Sequence, residues 1–433
     1  MLEPKLTDAN GFAIWDLMEH LFPIHRTLVS DGYRNSLEII KKHLDIDVLE
    51  HDTGEEHYDW VIPDAWDVNE AYIEDSKGVR IIDFSNSNLH LAAYSVPFQG
   101  KISKDELFEH LYWLEDQPDA IPYDYLYYRE KWQFCISKND LKKFTDSEYY
   151  VHIDVNKRPG KLLIGEKLIK GKSDKEFIIS SYMCHPSVAN DALSGVVTGI
   201  EVFKKLEELA KKEELNYSYR FLIVPETIGM ITWLSTHEDL FDKIQGGYVL
   251  TTCGDGGNPS YKKSYPGDAL IDRAAIHALD HNTDYPENTI IEYLLAGSDE
   301  RQFNSPGIRI PFGSLMRTMY EDFPEYHTSK DDMTLVTKEG LLDTARNVLE
   351  TIFILDNNAT YKATYKGEPF LSKHDLHIPF VGYEGDGYVN QIVMHESDGV
   401  MDLLSIAEKH NNPFKKILEF SKKFEEKGLL KRL

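Results

Sequence analysis

From residue 155 onward, short apolar runs alternate with longer amphipathic stretches, and this alternation limits the fold more than any other feature of the chain. "KEFIISSYMC" reads as a buried strand and 192–213, "ALSGVVTGIEVFKKLEELAKKE", as a helix. "YSYRFLIVP" is a second strand, "IGMITWLSTHEDLFDKI" a helix and "GGYVLTTC" a third strand. A helix at "ALIDRAAIHALDHN", a strand at "IRIPFGSLMR" and a long helix, "KEGLLDTARNVLETIFILDN", complete the series. Strands of four to eight apolar residues interleaved with helices predict a mostly parallel mixed sheet covered by helices on both faces, an α/β fold. Ligands of such sheets gather at the carboxyl ends of the strands.

Three flanking regions differ in texture. Residues 1–48 carry apolar residues at helical spacing in "GFAIWDLMEHLFPIHR" and "RNSLEIIKKHL". Residues 50–154 are rich in aromatic, β-branched and turn-forming residues, as in "DYLYYREKWQFCISKND", which suits a small β-rich inserted domain. The segment 367–433 ends in two amphipathic helical stretches separated by Asn411-Asn412-Pro413, the outline of a winged-helix-like module. From 398 on, eight basic and six acidic residues leave a net charge of only +2, against −28 for the rest, which argues against nucleic acid as the partner.

The whole chain, at −26, disfavours nonspecific binding to nucleic acid or anionic membranes. Three scattered cysteines build neither a disulfide framework nor a thiolate cluster. The N-terminus lacks a basic-then-apolar signal pattern and no long apolar run occurs, so the expected setting is cytoplasmic, with no membrane partner. Acidic surface and aromatic insertion leave room for a homodimer.

The chemistry-bearing residues lie at the predicted strand ends. His185 follows the first strand in "SSYMCHPSVANDALSG". Alone, such a histidine is more often hydrogen-bonded to backbone, and Asp191 alone reads as a helix cap. Together, an imidazole and a carboxylate suit zinc. Glu226 closes the second strand after Pro225, either as a capping acid or as a general base. His327, in the polar "YHTSKDD", could supply a third ligand, and "SDERQF" sets Ser298, Asp299, Glu300 and Arg301 near the same rim.

The order "CHPS", "NDALSG", "PETIGM", "SDERQFNSPGIRIP", "YHTSKDD" resembles the zinc aminopeptidase and carboxypeptidase superfamily that includes the di-zinc leucyl aminopeptidases. More narrowly, the insertion and the tail resemble aminopeptidase-like proteins associated with bacterial polysaccharide biosynthesis. The resemblance implies a discontinuous aminopeptidase-like domain, 1–48 and 155–360. It also implies His185, Asp191 and His327 as metal ligands and Glu226 as the base. The family's pattern fails at three positions: Ser187 replaces an acid that would support the histidine, Thr227 replaces the second glutamate of a pair, and Thr251 stands where an aspartate is usual. Asp255 lies four residues further on. The resemblance therefore implies a reduced site with one zinc per chain, since two histidines and an aspartate match a single catalytic site.

The expected function is a zinc-dependent hydrolase of the aminopeptidase type acting on a peptide, aminoacyl or other amide bond. Arg301, Arg317 and Tyr326 are candidates to position substrate, and Asp299 or Glu300 to bind its amine. The rival is a catalytically inactive zinc-stabilised scaffold. An amidase or deacylase of amino sugars, and DNA-binding regulation through the tail, are further alternatives.

Overall fold

The computed structural model describes residues 6–379 and 382–433; residues 1–5 of the expected N-terminal helical region and 380–381 of the tail lie outside them. Its centre is an eight-stranded mixed sheet. In chain order the strands are β1 (Asp47–Asp52), β2 (Lys161–Ile169), β3 (Glu176–Tyr182), β4 (Ser218–Val224), β5 (Ile244–Leu250), β6 (Ser260–Lys262), β7 (Thr289–Ile291) and β8 (Phe312–Met316). Their order across the sheet is β1-β2-β4-β3-β5-β8-β6-β7. The central four, β4, β3, β5 and β8, run parallel, while β2 and β6 pair antiparallel with them on either side.

The parallel core follows from the sequence. β3 and β4 are buried at every position. Alternate residues serve two cores: Phe177, Ile179, Tyr219, Phe221 and Ile223 join one cluster, while Ile178, Leu222 and Val224 join the other. A strand covered on both faces has no polar face, so these runs read as continuously apolar. One face carries helices α1 (Asp8–Leu21), α2 (Asp31–Ile40), α3 (Ser194–Ala210), α5 (Leu270–Asp280) and α7 (Lys338–Asn357). The other carries α4 (Ile228–Thr236), the short α6 (Glu300–Asn304) and the aromatic insertion. β1 crosses the expected border between the N-terminal region and the insertion, with residues 50–52 on the insertion side, and it forms an edge of the central sheet by pairing with β2 over Asp47–Asp52.

The insertion is built on a four-stranded antiparallel sheet whose central strands, Ala65–Glu74 and Glu148–Arg158, pair along most of their length. Its segment 117–123 leaves this sheet and pairs with 324–329 of the main domain. Tyr123 N donates to His327 O at 2.8 Å, Ser329 N to Ile121 O at 2.8 Å and Gln117 Nε2 to Pro324 O at 2.6 Å.

The tail holds helices α8 (Gly385–Glu396), α9 (Leu403–Lys409) and α10 (Phe414–Glu426) with a three-stranded antiparallel sheet formed by 360–363, 398–402 and 430–432. It docks on α5. Arg273 reaches Glu408 at 2.5 Å, and the backbone N–H of Phe414 donates to His277 Nε2 at 3.0 Å. That bond needs a neutral imidazole. Burial, with help from His281 and Arg273, pushes His277 down to about 4. The unfolded chain therefore holds the proton more tightly, and His277 contributes full stability only above its ordinary value near 6.5. Thermal unfolding measured across pH should show a midpoint that falls as pH drops from 6.5 towards 4, with a shallower slope in H277Q.

Candidate metal centre

Three of the parallel strands deliver the site at their carboxyl ends. β3 ends at Tyr182, and the chain turns into the pocket to present His185, buried to 4% exposure. The turn continues through Asn190 and Asp191 into α3, whose tight "NDALSG" entry packs closely: a side chain at Gly195 would meet the Leu250 carbonyl oxygen at 2.1 Å. β4 ends at Val224, and Pro225 hands the chain to Glu226. β5 ends at Leu250, followed by Thr251.

His185, Asp191 and His327 come together, with one ligand atom from each lying within 4.8 Å of the others. His327 Nε2 is 3.0 Å from Asp191 Oδ2, and that oxygen, fully buried, has no hydrogen-bond partner of good geometry. An orphaned buried carboxylate oxygen facing two imidazoles is what a divalent cation would satisfy, so the donor set fits zinc. His327 has a backbone φ of 53°, in the left-handed region, and the pairing of 117–123 with its loop holds it there. Tyr326 stacks on the His327 ring at 4.0 Å, and Tyr123 packs against both imidazoles at 4.9 and 5.3 Å.

Electrostatics sort these groups. Burial pushes His185 down to about 4, leaving a neutral imidazole. Burial alone would raise Asp191, but His185, His327 and Tyr182 outweigh it and hold the carboxyl at about 2. For His327, burial lowers and the Asp191 carboxylate more than compensates, so its value rises. Burial, then the Asp191 charge, pushes Glu226 up to about 7. Glu226 Oε2 lies 3.8 Å from His185 Nε2, and its Oε1 accepts from Ser298 Oγ at 2.8 Å.

Supporting groups orient the ligands. Asp331 accepts from the N–H groups of Asn190 at 2.6 Å and Asp191 at 3.0 Å, fixing the turn that aims Asp191. The Tyr182 hydroxyl donates to Asp191 Oδ1 and lies 2.9 Å from Thr251 Oγ1. Thus Asp191 Oδ1 and Thr251 are joined through a tyrosine. Asp255 does not approach this cluster in its bonding: its carboxylate accepts from Asn190 Nδ2 at 2.9 Å, Thr318 Oγ1 at 2.6 Å and Gly257 N at 2.7 Å. Ser187 accepts from Asn88 Nδ2 of the insertion at 2.8 Å and donates to Phe22 O at the end of α1 at 3.3 Å.

The rim residues distribute differently from expectation. Glu300 is fully buried and paired with Lys262, and Arg317, 1% exposed, pairs with Asp343 Oδ2 at 2.7 Å. Neither faces the pocket, because each is half of a buried ion pair whose partner lies on another element. Asp299 is also buried: its Oδ1 accepts from Thr227 N at 2.7 Å at the start of α4, while its Oδ2 has no hydrogen-bond partner. Arg301 donates to Ser298 O at 3.1 Å and lies near enough to Glu226 to lower it. Tyr326 touches the site through His327.

The walls of the pocket were not singled out from sequence. A cavity of about 280 Å³ above His185, Glu226 and His327 is lined by Leu28, Trp60, Tyr123, Tyr125, Tyr127 and Tyr128. All but Leu28 come from the insertion, and its density of tyrosines was the available signal.

Residues 15–358 match the family of a domain of unknown function, DUF4910. A Clostridium acetobutylicum protein named for polysaccharide biosynthesis and an aminopeptidase-like domain is 40% identical over 411 residues, covering 94% of this chain and 93% of its own length. A crystal structure described as a peptidase from Clostridium acetobutylicum superposes with a TM-score of 0.91 at 39% identity, over 98% of this chain and 97% of that one. The zinc aminopeptidase BSAP of Bacillus subtilis shares the fold, with a TM-score of 0.59 at 13% identity over 80% of this chain and 94% of its own.

Proposed function

The chain belongs to the DUF4910 family, and from that premise we propose that it is a zinc-dependent hydrolase of the aminopeptidase type, cleaving a peptide or amide bond within polysaccharide biosynthesis. The observation that carries this reading is the convergence of His185, Asp191 and His327 beneath a pocket whose floor also holds Glu226.

His185, Asp191 and His327 would hold one zinc ion. When bound, zinc supplies Lewis acidity, which acidifies water and polarises a carbonyl. Glu226, raised towards neutrality, takes a proton from the attacking water on Oε2 and delivers it to the leaving amine. Ser298 fixes its other oxygen, so the carboxylate turns one face to the pocket. Tyr326, stacked on His327, holds the orientation of that ring. The tyrosines and Trp60 exclude water and offer flat faces on which a sugar ring or an apolar acyl group can stack. Asp299 and Glu300 are fully buried and do not line the pocket, which favours a neutral acyl or amino-sugar amide over a free α-amine.

The replacements at Thr227 and Thr251, with Tyr182 bridging to Asp191, support one metal rather than two. They equally raise the rival of an inactive scaffold. The helices and three-stranded sheet of the tail support a winged-helix-like interaction module over 367–433, beside a β-rich insertion over 50–154.

The test is a panel of aminoacyl anilides and N-acyl amino sugars assayed with the purified full chain. Turnover that vanishes on chelation and returns with added zinc is the expected result. Stoichiometric zinc at His185–Asp191–His327 without turnover on any member would establish the scaffold instead.

A further inference from the structure

A second set of potential ligands lies outside the pocket, at the open edge of the central sheet. His51 is near the end of β1, Glu55 is in the turn that follows, and His57 is in a short hairpin made by 56–57 and 60–61. One donor atom from each lies within 4.8 Å of the others.

The hydrogen bonds around this trio leave it short of one cation. Glu55 Oε1 accepts from Asp52 N at 3.0 Å, which turns Oε2 towards the rings. Oε2 then lies 3.4 Å from His51 Nδ1 and 3.3 Å from His57 Nε2. On the far side of His57, Nδ1 is 2.7 Å from Ser235 Oγ at the end of α4. That hydroxyl donates its own hydrogen to Thr232 O at 3.0 Å, so it can only accept from the imidazole. With the His57 proton on Nδ1, as this bonding favours, Nε2 presents a lone pair to a carboxylate oxygen. His57 is 7% exposed, and Nε2 has no hydrogen-bond partner. A lone pair and a carboxylate oxygen thus meet at the rim of the fold, and a cation between them, a proton or a metal, relieves the contact. The spacing suits a metal: ligands about 2.1 Å from a tetrahedral ion stand about 3.4 Å apart.

We propose that His51, Glu55 and His57 form a second zinc-type site, separate from the His185 centre, whose outer support is Ser235. A two-histidine, one-carboxylate donor set with a hydroxyl orienting one ring is suited to a borderline-soft divalent ion. The site is a staple. It ties β1 to the hairpin that carries Trp60, three residues past His57, into the wall of the pocket. The same hairpin is already fastened to the main domain by Tyr58, whose hydroxyl donates to Glu238 Oε1 at 2.8 Å.

The probe is zinc alone, added to chelator-treated full-length protein and counted by equilibrium dialysis with metal analysis. The wild type is expected to take up about two zinc ions per chain, and H327A and E55Q about one each. E55Q/H327A should take up none. Glu55 is exposed and glutamine can still accept from Asp52 N, so E55Q tests the site without threatening the fold. S235A should weaken the retained zinc of H327A by about 10–100-fold while the zinc of E55Q is unaffected by the same change. An H327A chain that binds no zinc, or whose zinc survives E55Q at full affinity, overturns the proposal. Failure of the pocket centre would look different: E55Q alone would then be metal-free.

Discussion

Replacing Glu226 by glutamine is expected to lower turnover by about 10²–10⁴-fold, the usual worth of a positioned general base, while zinc uptake and thermal midpoint stay close to wild type. Glutamine keeps the volume of glutamate and can still accept from Ser298, so the floor of the pocket remains filled. What it lacks is a site for a proton. The loss should appear in kcat rather than KM, because Glu226 acts on the water and the leaving amine and does not anchor the substrate. Measuring both constants together with zinc content separates this outcome from collapse of the site. An E226Q chain as active as wild type would remove Glu226 from the chemistry and with it the proposed mechanism.

The second large effect is expected at the metal. H327A removes one of three ligands and should cost more zinc affinity than the roughly 10–100-fold that follows loss of an outer-shell partner. Two consequences add to the lost bond. Asp191 Oδ2 is left buried without the imidazole 3.0 Å away, and Tyr326 and Tyr123 lose the ring they pack against. Activity should fall with zinc content and recover in part at high zinc concentration, because Asp191 and His185 remain in place. Titration of apo protein with zinc, read by calorimetry, gives the comparison. Full-affinity binding at this centre in H327A would mean that the ligand set is wrong.

The parallel centre of the sheet was legible because strands such as β3 and β4 are covered on both faces, which turns sequences such as "FLIV" into uninterrupted apolar runs. His185 and Glu226 were singled out for a related reason, since each lies just beyond such a run, whereas His327 was singled out by its polar loop. The supporting residues were not. Tyr182 looks like an ordinary strand residue, and its bond to Asp191 across a sharp turn has no signature in spacing. Asp331 lies in a polar loop 140 residues from the amides that it accepts from. Glu300 and Arg317 show the opposite error, in which charge suggested a rim. Fully buried charges are rare unless paired, and the partners, Lys262 and Asp343, are 38 and 26 residues away on other elements. Local reading cannot see such pairs.

The strip of insertion at 117–123 that grips the loop of His327 makes the two binding equilibria of the pocket inseparable. Tyr123 touches both imidazoles with its ring, lines the cavity, and holds the His327 carbonyl with its backbone N–H. An occupant that shifts Tyr123 would therefore shift the proposed ligand His327, and a metal held there would reset the wall against which the occupant packs. By linkage, the factor by which zinc tightens an occupant must equal the factor by which that occupant tightens zinc. On the proposed ligand set the insertion would act as a heterotropic coupler, and zinc affinity measured on the free protein would understate the affinity in the presence of a substrate that prefers the gripped loop.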